Sequence, residues 1–563
     1  MRLRLVKYRE QLSSEEIKER RKDKFLLLLS GAAMGFGFPP FPFPFTLLLF
    51  FGLVPYFYVL EKRKTLAEIN KATYLAFWLF NLITLYWVGS WQKEADPFLM
   101  ISGAVLVFFN PILFLIPSTL YYTFKKTFSS RYALLFFPLF WVTYEYLYML
   151  TDLSFPWLTL GNGTAAFIPF IQIADVIGAV GISLVVLYIN IFFYKAIVNY
   201  KSSKKFFYYN LSAALLIFFA VLAYGFYRVS TFHPTDKTIR VGLIQPNLDP
   251  WEKWAGGDLD NLTDEYLGLS KKAVEQGAKL IVWPETALPV FLMDGSYNQT
   301  VNKIYAFLKE NNVFLLTGMP DVKYYFKGEK IPHDAKETKD GNYFYTMYNG
   351  ILLLAPDSWH VQRYGKMKLV PFGERVPFAD DLPFLGDLLK WGVGISGWNV
   401  GKDTVNFKIP TDITSRLEQQ SANSDSIGIN GLVCYESVFP YFVVDFVQRG
   451  AKMIAIVTND SWYGKSSGPY QHKEIAVLRA VENKRSVVRA ANGGISCIID
   501  PVGRTKIESK LFTKTFIVGN VELESGETFF TKHPLIIPTI ASLFSFWIFA
   551  LFIMKKVKAK LKV

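Results

Sequence analysis

The sequence predicts a membrane α-helical bundle of about eight spans joined to a layered α/β sandwich domain. Three observations carry that expectation. Only 19% of the 563 residues are charged, against about a quarter in soluble domains, and the shortage falls almost entirely in residues 25–230 and 534–554. Lysine and arginine crowd into alternate loops of those regions. Between them, residues 236–526 have the composition of an ordinary soluble domain, and short β-branched runs alternate there with helical patterns.

Apolar stretches near the roughly 20 residues needed to cross a bilayer occur at 25–38, 43–60, 72–91, 98–122, 133–150, 168–194, 207–227 and 534–554. The first, FLLLLSGAAMGFGF, is short, and it tilts or borrows from the following PPFPFPF. Residues 1–24 hold nine Lys/Arg, and EKRKTLAEINK four. KKTFSSR holds three, KAIVNYKSSKK four and the tail 555–563 five. The alternate loops PPFPFPF, QKEADP and TDLSFPWLTLGNGTAAF hold a single lysine between them. Cytoplasmic loops attract Lys and Arg, so this alternation predicts a cytoplasmic basic N-terminus (1–24), a seven-span domain (25–230), an extracytoplasmic domain (236–526), a final span (534–554) and a cytoplasmic basic tail (555–563). It also accounts for the net charge of +14 without nucleic acid as a partner. No small-residue cleavage site follows the first span, so no cleavable signal peptide is expected. Glu145, inside a span, is read as either functional or a helix-pairing contact.

In the outer domain, strands are predicted at IRVGLIQ, KLIVW, VFLLTGM, YNGILLLA, GINGLVC, MIAIVT, RAANGGISCIID and TFIVGNV. Continuous apolar strands of this kind are covered on both faces. The stretches EQGAKLIVWPE and QRGAKMIAIVTND echo each other, each a helix end, a glycine stop, a buried strand and a polar exit. No phosphate loop and no GxGxxG is present, and the five histidines show no ligand-like spacing. Neither a metal nor a cofactor is expected. Two cysteines exclude a disulfide framework, though a single Cys434–Cys497 bridge stays open.

Three polar residues follow strands: Glu285 in IVWPETALP, Lys366 in RYGKMKLVPFGERVP, and Cys434 in INGLVCYESVF. Strand ends in α/β sheets converge on one rim. A thiol attacks as thiolate, and Cys434 reads as the entry to a helix over YESVFPYFVVDFVQRG, whose dipole favours that form. Glu285 is suited to general base, and Lys366 with the N–H after Cys434 to oxyanion stabilisation. Taken singly, each residue also has a plain reading: a small buried hydrophobe for Cys434, a helix cap for Glu285, a solvated cation for Lys366 or Lys368. Cys497 fits a buried strand position.

The stretches VWPETALP, RYGKMKLVPFGERVP, LVCYES and VTNDSWYGKSSGPYQH, together with the spans, resemble the apolipoprotein N-acyltransferases, integral membrane members of the carbon–nitrogen hydrolase (nitrilase) superfamily. The resemblance covers nearly the whole chain. It implies a nitrilase-like αββα sandwich inserted before the last span, in a bacterial cytoplasmic (inner) membrane with the catalytic domain on the periplasmic side. It implies ping-pong transfer of an acyl chain from a membrane phospholipid, through a cysteine thioester, to the α-amino group of a diacylglyceryl apolipoprotein. On it, Glu285 matches the general base, Lys366 rather than Lys368 the triad lysine, and Cys434 the nucleophile. Tyr435 and Glu436 match positions of site architecture, and Glu374 a second, supporting glutamate. Trp254, with Trp251 competing for the position, and Trp157 match tryptophans tied to substrate entry. His472 is read as ordering a loop, and 492–494 as a tight turn beside the site. The enlarged polar loop at 323–345 and the glycines of WAGGDLDN bear on acyl and headgroup preference. A membrane-tethered amidase, with water attacking the thioester, is the competing enzyme reading. A transporter with a non-catalytic outer domain is the competing reading of another class.

Overall fold

The structure, a computed structural model, describes residues 13–92, 97–326, 328–378, 397–410 and 426–561. Residues 1–12, the lysine of QKEADP and the last two residues, all part of the charge alternation, lie outside it.

Each expected span falls on helix. Ser14–Gly37 starts well before residue 25 because Ser13 and Glu16 form a capping box that satisfies N–H groups left open at a helix start. The second is a 3-10 turn, Phe45–Phe50, followed by Val54–Lys62. Leu66–Leu85 continues as 3-10 helix to Gly89. The stretch expected at 98–122 is two helices, Pro97–Leu113 and Leu115–Thr127, meeting at Phe114. Ser130–Met149, Ala174–Asn199, Lys204–Ser230 and Ile536–Leu561 complete the set. Among the described residues six stretches (45–62, 66–89, 99–127, 174–199, 204–230 and 536–561) are long and apolar enough to cross a membrane. Ser14–Gly37 falls outside that set because its first half is charged, and Ser130–Met149 because tyrosines, a tryptophan and Glu145 lower its hydropathy.

Aromatic packing and buried polar pairs join the helices. Phe77 stacks on Phe114 at 4.5 Å, Asn110 donates to Asn81 at 2.6 Å, and Thr143 meets Ser545 at 2.8 Å. Such pairs bind helices where lipid offers no alternative partner. Glu145 acts in this way: it accepts from Trp141 Nε1 (2.8 Å), the Leu160 N–H (2.7 Å) and Ser183 Oγ (3.1 Å).

The second part contains thirteen strands: β1 Thr238–Gln245, β2 Leu280–Trp283, β3 Phe314–Tyr325, β4 Lys336–Glu337, β5 Phe344–Ala355, β6 Ser358–Gly365, β7 Asn406–Pro410, β8 Ser426–Val433, β9 Met453–Thr458, β10 Ser486–Ala491, β11 Cys497–Ile499, β12 Thr505–Glu508 and β13 Thr515–Glu522. One sheet runs β13-β1-β2-β3-β5-β4, with β6 also on β5; the other runs β12-β11-β10-β9-β8-β7. The central strands of each are parallel. Side chains alternate across a strand. Val241, Leu243, Leu280, Val282, Leu316 and Leu353 therefore join the core shared with the other sheet. Ile244, Ile281, Trp283, Leu315 and Leu352 pack with Tyr266, Leu269, Ile304 and Leu308 of the helices Leu259–Glu275 and Asn298–Asn311. Helices Pro440–Gln448 and Gly468–Asn483 form the fourth layer, completing an αββα sandwich.

Two expectations need correction. RAANGGISCIID is two antiparallel strands, β10 and β11, reversed around Asn492–Gly494. The helix expected at Cys434 is a 3-10 turn, Cys434–Val438, and the α-helix starts only at Pro440, since proline favours the first position of a helix. Both cysteines are free. The ends of the 323–345 segment belong to the long arms of β3 and β5.

Candidate active site

Parallel central strands carry their C-terminal ends to one rim. β2 ends at Trp283; Pro284 follows and then Glu285. β3 presses against this exit: a Cβ on Gly318 would lie 2.6 Å from Glu285 Cα. β5 supplies Asn349. Lys366 comes one residue after β6, its backbone N–H donating to Asn349 O at 2.8 Å and its carbonyl accepting from Gly401 at 2.8 Å. Cys434 follows β8 with φ +49°, a left-handed conformation that is strained for a side-chain-bearing residue. Its carbonyl accepts from Ser437 Oγ at 2.8 Å and lies 3.1 Å from His472 Nε2.

The polar cluster is tight and buried. Lys366 Nζ lies 2.8 Å from Glu374 Oε1 and 3.6 Å from Glu285 Oε1. Asn349 Nδ2 donates to both carboxylates, at 2.8 Å to Glu285 and 2.9 Å to Glu374. The other Glu285 oxygen accepts the Asn459 N–H at 3.0 Å, and the other Glu374 oxygen the Val370 N–H at 2.8 Å. Only 1% of Lys366 is exposed. Burial disfavours its charge, but Glu374 and Glu285 outweigh burial and hold the ammonium above the ordinary lysine range. Burial, then the Glu285 charge, pushes the Cys434 thiol up, with Lys366 opposing. These causes favour the protonated thiol over the thiolate. No α-helix begins at Cys434 to supply the dipole expected to favour a thiolate.

Cys434, Lys366, Glu285 and Glu374 share a cavity walled by Trp251, Trp254, Trp398, Trp462 and Tyr463. Val88, Leu99 and Ser102 of the helical part line it as well. Both competing tryptophans, 251 and 254, are lining residues. Trp157 is not among them: its Nε1 donates to Gln471 Oε1 at 2.8 Å and its ring lies 5.3 Å from that of His472, beneath the site. Tyr435 and Glu436 brace the site from behind. Tyr435 donates to Ser154 O at 2.6 Å. Glu436 accepts from Tyr364 OH (2.6 Å) and from the N–H groups of Met367 (2.7 Å), Lys368 (3.2 Å) and Val433 (2.8 Å). It thereby ties the Lys366 loop to the Cys434 strand. Burial raises its pKa to about 7. His472 sits on the helix Gly468–Asn483, its Nδ1 3.0 Å from Asp460, which Arg489 also pairs at 2.5 Å.

Sequence reasoning missed Asn349, Asn459 and Lys253. Lys253 is buried, donates to Thr286 O at 2.8 Å, and has its pKa lowered by burial to about 8. Asn349 was visible as the polar residue in an otherwise apolar strand. Asn459 was visible in the echo of VWPE by VTND, the two strand exits that meet here. Lys253 left no signal, because its helix, Pro250–Trp254, spans five residues. Among the described residues no group of three or more His, Cys, Asp or Glu could hold a metal.

Residues 240–529 match the carbon-nitrogen hydrolase family, and residues 30–192 match the apolipoprotein N-acyltransferase N-terminal domain. The chain is 33% identical over 532 residues to the apolipoprotein N-acyltransferase of Chlorobaculum tepidum, covering 92% of this chain and 94% of that one. It is 30% identical over 524 residues to that of Geobacter metallireducens, covering 91% and 92%. A helical bundle matching that N-terminal domain, a carbon–nitrogen hydrolase sandwich and similarity along nearly the whole length lead to one assignment: this chain belongs to the apolipoprotein N-acyltransferases.

Proposed function

We propose that the protein moves a fatty acyl chain from a membrane phospholipid to the N-terminal amine of diacylglyceryl apolipoproteins, with Glu285, Lys366 and Cys434 as the catalytic triad. The observation that carries this reading is the shared cavity. The triad lies in one pocket with Val88, Leu99 and Ser102 of the helical part, so a lipid ester can approach from the bilayer side.

In the first half-reaction Glu285 takes the Cys434 proton as sulfur attacks the ester carbonyl. The oxyanion forms beside Lys366 Nζ and the N–H groups opening the 3-10 turn, which lack acceptors within that turn. Collapse breaks the C–O bond. The leaving alkoxide takes the proton from Glu285, and lysophospholipid departs. In the second half the amine attacks the thioester, Glu285 accepts a proton from nitrogen, and the C–S bond breaks. The sulfur leaves as thiolate and recovers that proton. Glu374 and Asn349 keep Lys366 and Glu285 in place through both halves. Indole walls exclude water, favouring the amine over hydrolysis. The domain limits at 25–230, 236–526 and 534–554, the bacterial inner membrane and a periplasmic catalytic domain belong to the same proposal, supported by the loop charges.

The test is intact-protein mass spectrometry after incubation with phospholipid alone, beside Cys434→Ser and Lys366→Ala. A hydroxylamine-labile acyl adduct on Cys434, discharged by a diacylglyceryl-cysteine peptide that becomes N-acylated, is expected. Discharge to water without N-acylation overturns the transferase reading, and absence of an adduct overturns the thioester.

A further inference from the structure

A second polar site lies at the other end of the bundle. The stretch 99–127 spans about 40 Å at 1.5 Å per residue. Leu99 lines the catalytic cavity, whereas Lys125 and Lys126 line a groove among the helix ends near residues 62, 127, 130, 199 and 206. Lys62 and Arg63, also in the groove, are paired with Asp23 at 3.4 and 2.6 Å, and Lys125 donates to the carbonyls of Glu61 and Arg63 at 3.1 and 3.3 Å. Lys64, Lys126, Arg131 and Lys195 make no carboxylate ion pair among the described residues. Among the described residues lining the groove Glu61 is the one carboxylate, and its Oε2 accepts from Tyr194 OH at 2.7 Å. Lys195 is half-buried and shares the charge of Glu61 with Lys125, so the cations lining the groove outnumber that one counter-charge and favour an added anion. The walls are apolar: Leu135, Phe192, Val198 and Phe206 line the groove, and Val198 and Phe206 are exposed on the flank of the bundle.

We infer that this groove binds the phosphodiester headgroup of an anionic phospholipid, with its acyl chains along the apolar walls, as a site separate from the catalytic cavity. Cations alone suit any phosphate. The apolar flank selects the lipid, since free phosphate gains nothing from it.

The test uses full-length protein carrying Cys434→Ala, so that no acyl transfer removes lipid. It is reconstituted in phosphatidylcholine with a minor share of phosphatidylglycerol, and retained lipids are counted by native mass spectrometry. Adding Lys195→Gln and Arg131→Gln is expected to remove one tightly held phosphatidylglycerol, with occupancy falling roughly tenfold or more. Lys195→Arg is expected to keep it, and millimolar inorganic phosphate to leave it bound. Should the double substitution misfold, Arg131→Gln alone, at an exposed position, carries the same readout. Equal retention in parent and variants overturns the inference. So does displacement by inorganic phosphate, which marks a site for free anions instead.

Discussion

At Lys366 one ammonium is shared by two carboxylates, and among the described residues Asn349 is the side-chain amide that bonds both. Asn349→Ala leaves two buried acceptors short of a donor. Hydrogen bonds to charged groups contribute about 1.5–3 kcal/mol each, so kcat for acyl transfer is expected to fall roughly 10- to 100-fold with the lysine and cysteine untouched, as a steady-state assay would read. Glu436 makes a pH prediction. Burial raises its folded pKa to about 7, above an unfolded value near 4.3. A group raised in this way adds stability that is fully present below the unfolded value and is lost as pH rises through 7. The melting temperature of the parent relative to Glu436→Gln is therefore expected to decline between pH 5 and pH 8, and a difference independent of pH contradicts this. Of the three proposed triad residues, Glu285 and Cys434 were legible because each follows an apolar strand as an isolated polar residue, and Lys366 through the stretch RYGKMKLVPFGERVP that holds it. Glu374 was legible only through the resemblance and Asn349 was not, since they come to Glu285 from strands and loops 89 and 64 positions away in the chain.

Among elements, the contact between β2 and β3 sets where Glu285 stands. Gly318 has space for no side chain: its Cβ would meet Glu285 Cα at 2.6 Å and Pro284 O at 2.7 Å, both backbone atoms that cannot swing aside. Gly318→Ala is expected to displace Glu285, the proposed general base, while the sheet persists. Misplacement of a catalytic group by about 1 Å costs on the order of 100-fold in rate. Acyl-adduct formation slowed to that extent, with a far-ultraviolet spectrum like the parent's, is the expected result, and an unchanged rate refutes it. Central strands were legible from their apolar, β-branched runs. The peripheral β4, β6, β7 and β12 were not, because edge strands face solvent: SWHVQRYG of β6 is largely exposed or half-buried and shows no hydrophobic run. The 3-10 turn at Cys434 was likewise hidden, as helical spacing over 438–447 does not reveal that the α-helix waits for Pro440.

The whole molecule joins the sandwich to the bundle through buried polar contacts. Gln471, on the helix Gly468–Asn483, accepts from the indoles of Trp87 (3.0 Å) and Trp157 (2.8 Å) and donates to the carbonyls of Pro39 (2.8 Å) and Thr84 (3.0 Å). Glu482, a few turns on, accepts the Ala179 N–H at 2.7 Å. Gln471→Ala leaves four polar groups buried without that partner, at about 1–3 kcal/mol each before relaxation. A clear drop in melting temperature in detergent is expected, larger than for substitutions in the exposed hairpin at 336–345. The same argument predicts that residues 236–526 expressed alone aggregate, because their fourth layer is covered by helices of the bundle. A soluble, monomeric fragment contradicts it.

Alone, the sequence determined where apolar segments lie, which loops carry positive charge, which runs become central strands, and which three polar residues stand as candidates at strand exits. These are local properties: burial periodicity, charge and residue type at a strand exit act over a few positions. Tertiary structure decided the rest. Long-range packing set which helix ends meet around a basic groove, that Glu374 and Asn349 close on Lys366 and Glu285, and that Trp157 lies beneath the cavity while Trp251 and Trp254 wall it. It also decided that the Cys434 thiol is pushed toward its protonated form, because desolvation and the charge of Glu285 come into being only when distant strands bring these groups together.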